Sequence, residues 1–183
     1  MTGFITEAGR LRNGDRFRCA PDRRSDFLSN ESGGGTNANG NYSVTPATFS
    51  YGPSAGENWT VERLIIHIGD TGSFSSDEYG NTGSALSNGF DVEVVDSGDN
   101  VIKKLNGARP FTTNGELGSV CYDVSNLGAG TGGNDAILVR WTFSKAGSPI
   151  RLRGDDGWKV RVVLNDDFSG LAKHTFFLDC YLS

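Results

Sequence analysis

Apolar and polar residues alternate at every second position in several short stretches of this chain, a period that belongs to strands and not to helices. In 158–165, Trp158, Val160, Val162 and Leu164 share one face while Lys159, Arg161 and Asn165 share the other, with Val163 the one exception. In 136–144, Ile137, Val139, Trp141 and Phe143 line an apolar face opposite Ala136, Leu138, Arg140 and Thr142. WTVERLIIHIG (59–69), rich in aromatic and β-branched residues, predicts the longest strand. FDVEVVD (90–96) alternates and meets SGDN at 97–100, which turns it back into VIKKL as a hairpin. PIRLR (149–153) and HTFFLDCYL (174–182) read as further strands, and YSVTPATFSY (42–51) reads as an edge strand because Pro46 cannot donate to a ladder.

About eight such strands, joined by Gly, Asn and Asp turns and with no amphipathic helix between them, predict an all-β fold. The expected architecture is an antiparallel β-sandwich of jelly-roll type over 42–183. Ahead of it, residues 1–41 hold few apolar positions and end in SNESGGGTNANGN, which reads as an extended N-terminal arm and flexible linker.

Composition agrees: 26 of the 183 residues are Gly and one is Met. That balance disfavours a helical bundle. The formal charge is -5, which argues against nucleic acid or an anionic membrane as the main partner of the whole chain. Charge is unevenly spread. Residues 1–24 carry Arg10, Arg12, Arg16, Arg18, Arg23 and Arg24 against Glu7, Asp15 and Asp22, or 6 - 3 = +3, leaving -5 - 3 = -8 for the rest. The six arginines are the expected partner-binding residues of the arm, pairing with acidic faces of neighbouring subunits in preference to nucleic acid. The opening MTGFITEAGRLRNGDR has no apolar signal-peptide core, so export is not expected. The odd set Cys19, Cys121 and Cys180 suits free thiols better than a disulfide framework.

Candidate chemistry has simpler structural readings. GAGTGGN spells G-x-G-x-x-G through Gly128, Gly130 and Gly133, but phosphate binding needs a helix to follow, and AILVRWTF reads as a strand. His67 and His174 are the chain's two histidines, the first read as a structural strand residue and the second as exposed beside Lys173. The acidic sets at Asp77 with Glu78, Asp96 with Asp99, Asp155 with Asp156 and Asp166 with Asp167 lack EF-hand spacing and read as turn residues, so no metal or other cofactor is expected. RGD at 153–155 reads as a hairpin turn. Trp59, Trp141 and Trp158 read as core. The glycine-rich stretch 70–89 is long for a loop in a compact domain, which makes it a candidate surface-recognition loop through Asp70, Asp77 and Tyr79.

The segments 134–183 and 59–96, and above all RWTFSKAGSPIRL and LNDDFSGL, resemble small virion proteins of tailed bacteriophages, including those of cyanobacteria. Within that group the likeness is to jelly-roll capsid cement or decoration proteins. The resemblance implies a non-catalytic protein bound repeatedly to an assembled icosahedral head, with the major capsid protein as partner, self-association as a homotrimer and residence on the capsid surface. Neither fragment is a catalytic motif. Two other classes compete: a tail, neck or fibre β-domain that binds carbohydrate or a receptor through Tyr79, and a hydrolase using His67 or an Asp pair, which lacks a convergent triad.

Overall fold

In the computed structural model, the residues described are 38–70, 78–80, 82–106, 111–112, 123–129, 135–143 and 150–182. Among these residues, nine strands run in chain order: β1 (Ala47–Tyr51), β2 (Asn58–Asp70), β3 (Phe90–Val95), β4 (Val101–Lys104), β5 (Asp123–Ala129), β6 (Asp135–Thr142), β7 (Ile150–Arg153), β8 (Lys159–Leu164) and β9 (Leu171–Leu182). Every ladder is antiparallel. One sheet has the order β1-β8-β3-β4, and the second runs β5-β6-β2 with β7 and β9 also paired to β2. The fold is an all-β sandwich.

Strand β2 organises the second sheet. One of its edges pairs with β9 along nearly the whole strand, while the other is divided between β7, opposite Asn58–Val61, and β6, opposite Arg63–Gly69. A register shift between Val61 and Arg63 falls at that division. A bulge there changes which parity points inward, so Trp59 and Val61 face the core before it and Leu64, Ile66 and Ile68 after it. Without the bulge, the strand could not keep both halves of its apolar set inside.

The core lies between the sheets. Phe90, Val92 and Val94 of β3 and Val160, Val162 and Leu164 of β8 meet the β2 set, Val139 and Trp141 of β6, and Phe176, Leu178 and Cys180 of β9. Burial of these side chains supplies the main drive to fold, at roughly 1.5–3 kcal/mol for each large apolar side chain.

The alternation read from 158–165 and 136–144 holds, and the 90–105 hairpin forms. Its turn is built by Asp96, whose Oδ1 accepts the N–H groups of Gly98 at 2.8 Å and Asn100 at 2.9 Å, with Asp99 in the left-handed region at φ 62°. The edge position of β1 also holds, with Pro46 immediately before it.

Four expectations change. DVSNLGA forms β5 although its residues carry no strand signature. The turn after RGD is not a hairpin within one sheet, because β7 and β8 belong to different sheets and residues 154–157 carry the chain across. Ala38–Asn41, expected in the linker, belong to the sandwich: Ala38 is fully buried in the core and Asn41 bridges Asp167. The ladders also do not single out a jelly-roll winding, since the hairpins β3–β4 and β5–β6 each stay inside one sheet.

Candidate functional site

At one end of the sandwich, two segments far apart in sequence meet on His174. Its side chain is fully buried because 174, 176, 178 and 180 are the inward positions of β9, with His174 opposite Ile68 of β2. The expected exposure beside Lys173 is therefore overturned: neighbours in a strand point to opposite faces, so an exposed Lys173 requires an inward His174. His67, by contrast, lies on the outer face of the same sheet, so no constellation can use both histidines.

Two hydrogen bonds hold the His174 ring. Nδ1 lies 2.9 Å from the carbonyl oxygen of Ala38 and Nε2 lies 3.0 Å from the hydroxyl of Tyr79. A carbonyl oxygen can only accept, so Nδ1 carries the proton, and Nε2 accepts from the phenol. The ring is neutral. Aromatic side chains complete its surroundings, with Phe168 at 4.7 Å and Phe176 at 4.8 Å between ring centroids, and Tyr79 and Phe90 edge-on. Burial in this apolar shell lowers the His174 pKa to about 4, and the bond to Ala38 only partly offsets it.

Tyr79 does not present a surface. It is fully buried, sits at φ 49° and packs edge-on against Phe90 and Phe168. An aromatic ring in a glycine-rich loop gains more from the core than from water, and its hydroxyl tolerates burial because His174 accepts its proton. The proposed glycan contact through Tyr79 is thereby withdrawn. Asp70 is the last residue of β2, opposite Leu171. Asp77 and the six arginines of the arm lie outside the described residues.

Next to this cluster, the connection between β8 and β9 clamps the chain where it enters the sandwich. Tyr42 N–H donates to the Asp166 carbonyl at 2.9 Å and Phe168 N–H to the Gly40 carbonyl at 3.0 Å. Asn39 Nδ2 donates to the Leu171 carbonyl at 2.8 Å, and Asn41 Nδ2 to Asp167 Oδ2 at 2.7 Å. The Asp166 carboxylate faces inward, accepting the N–H groups of Asn88 at 2.6 Å and Gly89 at 2.9 Å through Oδ2 and that of Asp167 at 2.9 Å through Oδ1. Burial works to raise its pKa, but these backbone donors together outweigh burial and hold it below the ordinary carboxylate value.

Members of two other acidic sets among the described residues are likewise occupied. Asp155 accepts from Gly56 N–H at 2.7 Å, tying its turn to the one at 54–57, and Asp156 pairs with Arg153 at 3.2 Å within its own turn. Asp99 faces Arg161 at 3.9 Å. Among the described residues, no group of three His, Cys, Asp or Glu is placed to hold a metal ion. Of the GAGTGGN segment, Gly128 lies in β5, and the residues after the segment form strand β6 where a phosphate loop requires a helix. Trp59 and Trp141 are buried as expected, and Trp158 packs half-buried at the core margin. Cys180 is buried, its Sγ 3.9 Å from the Leu178 carbonyl oxygen.

The arrangement binds segments to each other instead of presenting groups to a substrate. His174 and Tyr79 are both sealed from solvent. Sequence reading missed Ala38, Asn39 and Asn41 and took Asp166 for a turn residue alone; the signal for His174 was available in the parity of HTFFLDC. Comparison of the chain with protein-family models, curated proteins and solved structures finds no match. Among the described residues, no helix is long and apolar enough to cross a membrane.

Proposed function

We propose that this chain is a structural, non-catalytic virion subunit, a cement or decoration protein that attaches as a homotrimer to the major capsid protein of an assembled icosahedral head. Its arm, through Arg10, Arg12, Arg16, Arg18, Arg23 and Arg24, grips a neighbouring subunit. The observation that carries this reading is the rooting of the arm. Residues 38–42 are clamped to the sandwich by a hydrogen bond at each residue and by a buried alanine, just after a segment whose first 24 residues hold +3 of charge against -8 for the rest. A tether of this kind transmits force to the fold and lets many modest contacts sum over an assembly. The resemblance of RWTFSKAGSPIRL and LNDDFSGL to phage virion proteins points to the head as that assembly.

Deletion of residues 2–37 tests the reading, and it stops before Ala38 because that residue belongs to the core. The truncated protein should keep its melting temperature and lose occupancy on purified particles imaged by electron microscopy. Neutralising the six arginines together should reduce the salt sensitivity of attachment. Full occupancy after deletion rejects the arm's role; particles bearing the chain only on the tail overturn the capsid assignment.

A further inference from the structure

We propose that β1 is a self-association edge: it adds, antiparallel and across a two-fold axis, to the β1 of a second copy, so that their β1-β8-β3-β4 sheets run on as one. The inference goes beyond attachment to a capsid and stands without it. Among the described residues, β1 pairs with β8 alone, which leaves the backbone groups on its other side facing outward. Thr48 and Ser50 are exposed on the outer face, while Ala47, Phe49 and Tyr51 turn toward the core and are only half-buried. A strand of this kind is a template for another chain unless something blunts it.

At the far end of the same sheet the edge is blunted. Strand β4 exposes Val101 and Ile102, but a register shift opposite Val94 and Val95 breaks its regular spacing, and Lys103 and Lys104 both lie exposed on it. Strand β1 has neither device. Its ladder to β8 runs one to one over all five residues, and no charged side chain occurs in 40–56. Pro46 and Pro53 bracket it instead, which limits how far a ladder can run and not whether it forms.

The same residues select a second copy as the occupant. About a two-fold axis normal to the sheet, opposed residues must share parity, because their side chains point to the same face. A register centred on Thr48 sets Pro46 opposite Ser50, and one centred on Ser50 sets Ala47 opposite Pro53. Only the register centred on Phe49 pairs all five residues and keeps both prolines out of the ladder. It places Phe49 against the second copy's Phe49, Thr48 against its Ser50, and small Ala47 against its Tyr51, whose ring packs 5.0 Å from Trp59. None of these pairs carries charge, so two copies meet without repulsion. The arm is the poorer match, since its six arginines would meet Lys159 and Arg161 on the neighbouring β8 and no carboxylate on β1.

A five-residue ladder is a small contact, so association should be weak. Sedimentation equilibrium of the full chain between about 10 µM and about 1 mM should show the weight-average mass rising at least twofold. Thr48→Glu with Ser50→Glu, both at exposed positions, sets like charges opposite each other twice across the axis and should weaken association about tenfold. Thr48→Lys with Ser50→Glu differs only in the sign at 48; it makes the same two pairs attractive and should associate at least as tightly as the wild type. A wild-type mass that stays constant, a Glu–Glu variant that associates as the wild type does, or a Lys–Glu variant no tighter than Glu–Glu overturns the proposal. Should either variant fail to fold, hydrogen exchange of the wild type decides: the β1 amides turned away from β8 must gain protection as concentration rises. Protection that ignores concentration refutes the second copy as occupant.

Discussion

Gly89 sits where three parts of the fold touch. Its N–H goes to Asp166, its carbonyl accepts from Asn165 at 2.8 Å, and at φ +59° a Cβ would lie 1.5 Å from the carbonyl oxygen of Phe111. No side chain motion can relieve that overlap, because the atom in the way is backbone. Gly89→Ala should therefore cost more than about 3 kcal/mol in urea denaturation. Gly83, at φ +83° with nothing within 4 Å of where a Cβ would stand, is the control. There, Ala should cost only the left-handed penalty of about 1 kcal/mol. Equal losses at the two sites would show that backbone conformation, and not the contact with Phe111, sets the cost. Neither requirement can be read locally from the sequence, since both positions read simply as turn glycines. His174 is different: strict alternation through Phe176, Leu178 and Cys180 placed it inward, and the adjacent Lys173 drew attention to the wrong face. Tyr79 was beyond periodicity, because no repeat runs through 70–89 and only the packing at the sandwich end decides where its ring goes.

Strands β3 and β8 are joined on their outer face by a nearly buried ion pair. Arg161 donates to Glu93 Oε2 through Nε at 3.0 Å and Nη2 at 2.7 Å, and Lys104 lies 3.6 Å from the other oxygen. Removing Arg161 leaves a carboxylate with little access to water and one weaker partner. Arg161→Met should cost about 3 kcal/mol, and adding Glu93→Leu should recover most of it, because the penalty for a lone buried charge exceeds that of losing the pair. A double-mutant cycle by thermal unfolding measures the coupling; simple additivity would mean that Glu93 is adequately solvated without Arg161. At this scale, the sequence was a good guide where alternation was strong, as in β8 and the β3–β4 hairpin. It was a poor one for β5, whose Ser, Asn and Gly become a strand through pairing with β6. The bulge in β2 and the division of its edge between β6 and β7 depend on long-range partners, which no window of sequence contains.

Among the described residues, two groups of contacts are acid-sensitive, and their windows differ. His174 is held neutral with a pKa near 4, while the unfolded chain takes up its proton near 6.5. Below pH 6.5 the proton thus favours the unfolded chain, so stability falls progressively from pH 6.5 and levels out below pH 4. The difference of about 2.5 units sets the loss at no more than about 3.5 kcal/mol. Asp96, through its bonds to Asn100, and Asp166, through its backbone donors, have lowered values, so their contributions are complete above the ordinary carboxylate range and fade only as pH falls below 3.8. Urea titrations at a series of pH values should show a first decline from His174 alone and a second from the carboxylates. His174→Phe should abolish the first and keep the second. A decline of unchanged depth in His174→Phe would assign the first window to another group.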